Sequence, residues 1–213
     1  MLTVLSVLKS GGSYDPEWVL KLERAVARHL SVPHVFKCLS DVEAPCERIP
    51  LKHGWPGWWS KIELFRPGVV NGPTLYLDLD TVLVGSIDAL ADMPDDFSIM
   101  RNLNMPHMPG SAVMWFKQAA PRAVYDTFAE NPEHYISQYS DKTQGCYMGD
   151  QAFIWDAMNR KVKYLTDRVP GLIRSYRRHC MAGVPDGCAV VAFGGDKKPS
   201  TVNEQWVREA WIA

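Results

Sequence analysis

The 213-residue sequence lacks the features that mark membrane, nucleic-acid-coating and disulfide-rich proteins. No apolar run approaches the roughly 20 residues that a membrane-spanning helix needs. The formal net charge is only -1, so no overall field attracts nucleic acid or anionic lipid. The 5 cysteines (Cys38, Cys46, Cys146, Cys180 and Cys188) include no C-x-x-C pair and are odd in number, so neither a zinc ribbon nor a disulfide framework is indicated. These absences predict a cytoplasmic protein with reduced thiols and no membrane span.

The sequence is also without signs of repeats or of a histidine-based metal cluster. No internal repeat or low-complexity segment is visible, and the 6 histidines show no ligand spacing such as H-x-x-x-H. Hydrophobic residues make up 46% of the chain and charged residues 22%, which is close to the average of globular proteins. A chain of 213 residues with this composition fits one folded domain.

The N-terminal segment has the pattern of a strand, a helix and a second strand. Residues 3–8 are apolar and short enough for a strand, and residues 35–39 have the same character. Between them Asp15 is a natural N-cap, Pro16 suits the first helical position, and apolar residues recur three or four positions apart. Because a βαβ unit requires parallel strands, we predict an α/β fold: a single domain with a Rossmann-like, mostly parallel central sheet flanked by helices.

The remaining elements follow from short apolar runs and from helix-start signals. Residues 41–57 are rich in proline and glycine and are predicted to form a long loop. Helices are predicted at residues 58–65, 121–129 and 150–158. Further strands are predicted at residues 74–77, 81–84, 97–100, 111–116, 162–164 and 189–193.

The strongest local signal is the segment L-Y-L-D-L-D at residues 75–80, which contains Asp78 and Asp80. Residues two apart in an extended chain project to the same face, so the two carboxylates are expected side by side at the carboxyl end of a buried strand. Open α/β sheets bind their ligands at that end. Two adjacent carboxylates repel each other unless a cation lies between them, which predicts a Mg²⁺ or Mn²⁺ site that neutralises a diphosphate. The alternative is a solvated turn with two incidental acids.

Several segments, in their order along the chain, resemble GT-A glycosyltransferases, nearest to the small retaining enzymes of family 8 (the glycogenin and galactosyltransferase kind). Asp78 and Asp80 match the D-x-D motif that binds the metal and the sugar-nucleotide diphosphate. Residues 111–114, S-A-V-M, resemble the N-S-G-V-M strand of the family with two changes. Residues 149–151, G-D-Q, resemble the Asp-Gln pair beside the reacting sugar carbon. Residues 192–199, A-F-G-G-D-K-K-P, resemble the closing H-F-x-G-x-x-K-P segment.

The resemblance implies a fold, a reaction and a cofactor. It implies one GT-A-like domain over residues 1–213, with a nucleotide-binding half at residues 1–80 and an acceptor and closing half at residues 81–213. The implied activity is the metal-dependent transfer of a sugar from a nucleotide-sugar donor, with a UDP-sugar as the expected donor. Retention of the anomeric configuration and a Mn²⁺ or Mg²⁺ cofactor are implied in the same way. The acceptor, whether a glycan, a protein or a nucleic acid, stays open.

The candidate site residues fall into three groups. Asp150 and Gln151 are the candidate catalytic pair, and Asp78 and Asp80 are the candidate metal ligands. A third metal ligand is missing, because Ala192 stands where the family has a histidine, although Asp196 could substitute. The candidates for donor binding are Ser6, Lys9, Asp41, Lys61, Asp78, Arg101 and Lys198.

Several of these candidates have a plain structural alternative. Asp150 could cap the helix that begins near it. Lys61 and Lys198 could be solvated surface lysines. The tryptophan-rich segment at residues 55–59 could be an acceptor platform, a mobile lid or a hydrophobic plug, and the basic run at residues 174–179 could meet an anionic acceptor or simply face solvent.

Two other functions compete with sugar transfer. Residues 75–83 also fit the nucleophile motif of haloacid-dehalogenase phosphohydrolases, in which Asp78 would attack phosphorus and Asp80 would act as acid and base. Asp150 with Asp156 would then form the acidic metal motif, although the spacing is one residue too long. The third possibility is a sugar-nucleotide or glycan binder without catalysis, which the missing histidine at Ala192 suggests.

Overall fold

The strands of the protein form two sheets in a computed structural model that describes residues 1–141 and 147–212. One sheet has seven strands and the other has three. The strands are β1 (Leu2–Leu8), β2 (His34–Ser40), β3 (Glu47–Pro50), β4 (Thr74–Leu77), β5 (Thr81–Leu83), β6 (Phe97–Arg101), β7 (Pro109–Phe116), β8 (Lys163–Tyr164), β9 (Ile173–Ser175) and β10 (Val190–Ala192).

Within the part of the chain that the structure describes, six α-helices, two 3₁₀ segments and one π-helical turn connect these strands. The α-helices are α1 (Pro16–His29), α2 (Arg122–Glu130), α3 (Pro132–Tyr139), α4 (Gly149–Ala157), α5 (Leu165–Arg168) and α6 (Gln205–Ala210). The 3₁₀ segments are Gly57–Phe65 and Asp88–Leu90, and a π-helical turn spans Tyr176–Cys180. Within the described residues, none of these helices combines the length and the apolarity required to cross a membrane.

The N-terminal βαβ unit forms as predicted. The Asp15 side chain accepts the backbone N–H of Glu17 at 2.9 Å, and Pro16 occupies the first position of α1. The apolar face of α1, including Val19 and Val26, is buried against the sheet, and β1 pairs with β2 in parallel along its whole length. Local capping and helical periodicity were therefore sufficient to specify this unit.

The central sheet has the order β3-β2-β1-β4-β7-β6-β8, which confirms the predicted mostly parallel α/β architecture. Only β7 runs against its neighbours, β4 and β6. β3 lies within the predicted loop at residues 41–57, so that prediction was wrong at this point. Three of its four residues are exposed, and the strand is defined by backbone pairing with β2 rather than by an apolar pattern.

The second sheet has the order β5-β10-β9 and receives the chain directly from the central sheet. β4 ends at Leu77 in the central sheet, and β5 begins at Thr81 in the second sheet. A turn joins them, in which the Thr81 N–H donates to the carbonyl of Asp78 at 3.0 Å. The D-x-D segment therefore lies at the junction of the two sheets, where the backbone must leave one layer and enter the other.

The cysteines form no disulfide in the part of the chain that the structure describes, and their reduced state stays a prediction. Cys38, Cys46, Cys180 and Cys188 are free, and Cys146 lies outside the described residues. The cytoplasmic location and the division of the domain at residue 80 stay predictions.

Candidate functional site

A cleft of about 870 Å³ opens where the central sheet meets the second sheet. It is lined by residues from the carboxyl ends of β1, β4, β9 and β10 and by the first turn of α4. Sheets of this kind bind ligands at that edge because the strand ends leave a crevice between diverging connections. Seven of the predicted site residues line the cleft: Lys9, Lys61, Asp78, Asp80, Asp150, Gln151 and Lys198.

Asp78 and Asp80 both face this cleft, and each is paired with a lysine. Asp78 Oδ1 accepts the Tyr76 hydroxyl at 2.5 Å and lies 2.9 Å from Lys61 Nζ. Asp80 Oδ2 lies 2.6 Å from Lys198 Nζ. The other oxygen of each carboxylate accepts no hydrogen bond from a described residue. The D-x-D segment is therefore not a solvated turn. Its two carboxylates are also not fully occupied by hydrogen-bond donors of the described protein.

Lys61 is buried and joins two of the acids. Its side chain is 8% exposed, and Nζ lies 2.9 Å from Asp78 and 3.2 Å from Asp150. It also donates to Ser111 Oγ at 3.0 Å. Burial alone would lower the pKa of Lys61, but the charges of Asp150 and Asp78 outweigh burial and raise it. The alternative of a solvated helix face was wrong for this lysine, because the 3₁₀ segment Gly57–Phe65 turns it inward.

Asp150 and Gln151 occupy the first turn of α4 and line the cleft. Met148 is the N-cap of this helix, and no side chain bonds the cap position. The helix-capping alternative for Asp150 was therefore wrong: its carboxylate is buried and points to Lys61 instead. The positive end of the α4 dipole also favours a carboxylate in the first turn.

Tyr14 belongs to the site, although nothing in the sequence singled it out. Its hydroxyl donates to Asp80 Oδ2 at 2.9 Å and accepts from Lys198 Nζ at 2.7 Å. Burial raises the pKa of Tyr14 well above its usual value, and the negative charges of Asp80 and Asp78 raise it further. Tyr14 thus remains a neutral donor that helps to hold Asp80 in place.

Lys9 and Asp41 lie at the ends of β1 and β2 and bind each other. The Asp41 carboxylate also accepts two hydrogen bonds from Ser10, one from its backbone N–H at 2.9 Å and one from the Ser10 hydroxyl at 2.7 Å. Lys9 lines the cleft, so this pair borders the place where a nucleotide was predicted. Ser6, by contrast, is fully buried within β1 and does not reach the cleft.

Arg101 ends β6 but turns away from the cleft. Its guanidinium makes a bidentate contact with Asp167, at 2.6 and 2.7 Å, and donates to the Pro106 carbonyl at 2.6 Å. It also lies over the Tyr164 ring, 3.9 Å from the centroid. The structure therefore places Arg101 in contacts with Asp167 and Pro106, outside the group of predicted residues that line the cleft.

Replacement of Asp41 by Asn is expected to change how stability depends on pH. Burial raises the pKa of Asp41, but hydrogen bonds from Lys9 and Ser10 outweigh burial and lower the pKa to about 2. Since this is below the unfolded value of about 3.9, the carboxylate stabilises the fold above about pH 4, and that stabilisation is lost as pH falls to about 2. The difference in unfolding free energy between wild type and Asp41→Asn should shrink over this range in urea titrations. Asp92→Asn, at an exposed position, is the control, and a difference that is constant with pH would contradict this assignment.

The carboxylate oxygens of Asp78 and Asp80 are suitable ligands for a cation that also binds a diphosphate. Mg²⁺ is commonly held by one or two carboxylates together with substrate phosphates and water. Asp78 and Asp80 supply two such carboxylates, each with one oxygen free of hydrogen bonds from described residues. Among the described residues, no group of three acidic, histidine or cysteine side chains could hold a metal by itself. Two carboxylates alone would not complete the coordination of such an ion, so further ligands such as phosphate oxygens would be needed.

The missing third ligand is not restored elsewhere in the described chain. Ala192 lines the cleft at the position of the expected histidine. Asp196, the predicted substitute, is 79% exposed and pairs with Arg177. His179 Nδ1 accepts the backbone N–H of Ser175 at 3.1 Å, so this ring nitrogen already has a partner within its own turn.

The acidic motif that the phosphohydrolase alternative requires is not assembled. Asp156 accepts hydrogen bonds from Tyr139 at 2.8 Å and from Arg160 at 2.8 Å, and it does not line the cleft. Asp150 faces Lys61 near the opposite end of α4. The two acids therefore lie on different surfaces and cannot share one ion.

Comparison with known proteins supports the fold through structure alone. No protein-family model and no curated protein sequence matches the chain. The glycosyltransferase GlyE of Streptococcus pneumoniae TIGR4 is similar with a TM-score of 0.62 and 11% identity, over 99% of this chain and 60% of GlyE. The galactosyltransferase LgtC, solved with donor and acceptor sugar analogues, has a TM-score of 0.62 and 14% identity over 92% of this chain and 88% of LgtC. The bifunctional glycosyltransferase WbbM has a TM-score of 0.54 over 93% of this chain.

These similarities define the class of fold. The chain has the GT-A type of fold that these glycosyltransferases share, with the cleft at the edge of the mostly parallel sheet. It spans only 60% of the length of GlyE.

Proposed function

We propose that this protein is a glycosyltransferase that moves a sugar from a nucleotide-sugar donor to an acceptor, with a Mg²⁺ or Mn²⁺ ion held by Asp78, Asp80 and the donor diphosphate. The observation that carries the proposal is the convergence of these carboxylates, Lys61 and Lys198 on one cleft at the ligand-binding edge of the sheet. A metal bound there would polarise the oxygens of the leaving diphosphate.

The charge balance of the cleft favours a cation together with the donor. Three carboxylates (Asp78, Asp80 and Asp150) face two ammonium groups (Lys61 and Lys198), which leaves one negative charge unmatched. The other cations that line the cleft, Lys9 and Arg177, are already paired with acids. A diphosphate brings further negative charge into this low-dielectric space, where repulsion is strong. A divalent cation on the free carboxylate oxygens would offset it.

Lys198 is placed to move between Asp80 and the donor. Its side chain is partly exposed, and its ammonium group is held by Asp80 at 2.6 Å and by the Tyr14 hydroxyl at 2.7 Å. When a metal occupies Asp80, the lysine would lose part of this attraction. Its flexible stem would then let the ammonium group meet the phosphate oxygens on which charge develops as the bond breaks.

Lys61 has a different task, because its departure would leave the buried Asp150 and the partly exposed Asp78 without the cation that they share. It would hold Asp78 toward the metal and Asp150 toward the sugar at fixed separation. Asp150 and Gln151 would hold hydroxyl groups of the donor sugar near the reacting carbon. Preorganised groups of this kind lower the barrier because they need no reorientation during the reaction.

The finer points of the proposal rest on the resemblance to family 8. It implies a UDP-sugar as the donor and retention of the anomeric configuration. The configuration of the product, determined by proton NMR, tests the second point directly.

The experiment that tests the proposed function compares two substrate classes. Purified protein with Mn²⁺ is incubated with a panel of UDP-, GDP- and dTDP-sugars and, separately, with p-nitrophenyl phosphate. Slow release of nucleoside diphosphate from one of the sugars, abolished by EDTA and restored by Mn²⁺, is the expected result. Turnover of p-nitrophenyl phosphate alone would support the phosphohydrolase with Asp78 as nucleophile. Binding of a nucleotide sugar without turnover over hours would support the non-catalytic binder.

A further inference from the structure

The three tryptophans of residues 55–59 have different surroundings in the structure. Trp55 and Trp59 are buried and pack against Phe128, with ring centroids 4.7 and 5.3 Å apart. They form the hydrophobic plug that was one of the sequence alternatives. Trp58 is 48% exposed and lines the cleft. An indole that is half exposed to water beside a polar cleft is not explained by core packing.

Trp58 is held at the start of α4, beside the acids of the site. It follows Gly57, whose φ of 52° lies in the left-handed region, at the beginning of the 3₁₀ segment. A Cβ atom on Gly149 would lie only 3.3 Å from Trp58 Nε1, so the indole packs on the bare backbone of this glycine. The next residue is Asp150, which binds Lys61. The exposed part of the indole is therefore a wall of the cleft close to the proposed reacting centre.

We propose that the exposed face of Trp58 is the binding platform for the acceptor, and that the acceptor is a neutral pyranoside. This inference rests on the proposed glycosyltransferase function and names the acceptor class for it. The C–H groups on one face of a pyranose carry slight positive charge and match the electron-rich face of the indole. The hydroxyl groups on the rim of the sugar need polar partners, and the side-chain amides of Asn102 and Asn104 line the same cleft.

The charge of the cleft argues for a neutral acceptor. Arg177 lines the cleft and is paired with Asp196, so its charge is already matched. The unmatched charge among the acids and lysines of the site is negative, which would repel an anionic acceptor. A nucleic acid or an acidic glycan is therefore disfavoured, and binding must come from stacking and hydrogen bonds.

The test uses Trp58→Ala and Trp58→Phe in the full chain. Saturation-transfer NMR, with UDP and Mn²⁺ present, measures binding of methyl β-D-galactopyranoside, methyl β-D-glucopyranoside and methyl α-D-mannopyranoside. Calorimetry measures binding of UDP with Mn²⁺. We expect Trp58→Ala to weaken binding of the preferred glycoside by about tenfold or more, as loss of an aromatic stacking partner does elsewhere. Trp58→Phe, which keeps an aromatic face, should recover part of it. Met181→Ala, which removes an exposed apolar side chain outside the cleft, should change neither measurement.

The outcomes separate this inference from the proposed function. Equal glycoside binding by wild type and Trp58→Ala would overturn the platform. Equal losses of UDP and glycoside binding in both Trp58 variants would also overturn it, since the indole would then support the site as a whole. Donor turnover by wild type with no glycoside signal would overturn the pyranoside assignment and leave the transferase intact. Absence of both donor binding and donor turnover in wild type would instead reject the proposed function.

Discussion

Asp80→Asn is expected to lower donor turnover by about 100- to 1,000-fold, which is the usual effect of removing one group that stabilises charge in a transition state. The amide has nearly the same shape as the carboxylate, and its oxygen can still accept from Tyr14 and Lys198. What it lacks is the charge that would bind the metal. The loss should therefore appear in release of nucleoside diphosphate from the best nucleotide sugar, and higher Mn²⁺ concentration should recover only part of it.

The fold of Asp80→Asn should survive. Asp80 is buried beside Asp78, and burial raises its pKa, with repulsion from Asp78 raising it further. Removal of this charge relieves that repulsion, and the partly exposed Lys198 can turn its ammonium group to water. Asp126→Asn, an exposed acid paired with Arg122 on α2, is the matched control and should keep full activity. Wild-type turnover by Asp80→Asn would refute the role of the D-x-D segment.

Lys61→Met is expected to reduce the free energy of unfolding by about 3–5 kcal/mol, because loss of one partner leaves buried charges uncompensated. The lysine is almost fully buried between Asp78 and Asp150, and methionine fills a similar volume without the charge. The two acids would then face each other across a low-dielectric space. Urea unfolding at neutral pH measures the loss.

Two controls make this prediction specific to the buried pairing. Lys161→Met, at an exposed position, should cost less than about 1 kcal/mol. Addition of Asp150→Asn to Lys61→Met should restore part of the stability, because it removes one of the stranded charges, and the double-mutant cycle gives the coupling between the two residues. A loss for Lys61→Met no larger than that for Lys161→Met would mean that the lysine is not needed to neutralise the acids.

The nature of Lys61 could not be predicted from the sequence because its neighbours are distant along the chain. A lone lysine in an apolar segment is compatible with a solvated helix face. The structure buries it between three elements. Asp78 directly follows β4, Ser111 lies in β7, which pairs antiparallel with β4, and Asp150 belongs to α4, which packs beside β7. Only the assembled sheet brings these elements together.

The surroundings of Arg101 also depend on a residue that is distant along the chain. Its position after β6 made it a reasonable donor contact, but Asp167 of α5 captures it in a bidentate pair. This partner lies 66 residues further along the chain, and no local pattern connects the two. An arginine pairs most strongly with a carboxylate that can accept two parallel hydrogen bonds. The helix that packs over the strand determines which carboxylate lies within reach.

The sequence by itself determined the parts of this protein that depend on neighbouring residues. The N-cap at Asp15, the helical face of α1, the apolar strand before Asp78 and the order of the motifs were all readable, because capping, side-chain periodicity and strand alternation act within a few residues. Tertiary structure alone decided that Lys198 and Tyr14 meet at Asp80, across 118 and 66 positions. It also decided that Trp58 faces the cleft while Trp55 and Trp59 are buried. These contacts form only when the two sheets pack together, because the residues lie far apart along the chain. Burial then requires the charges of Asp80 and Lys198 to pair, and the packing of the cleft leaves the Trp58 ring exposed.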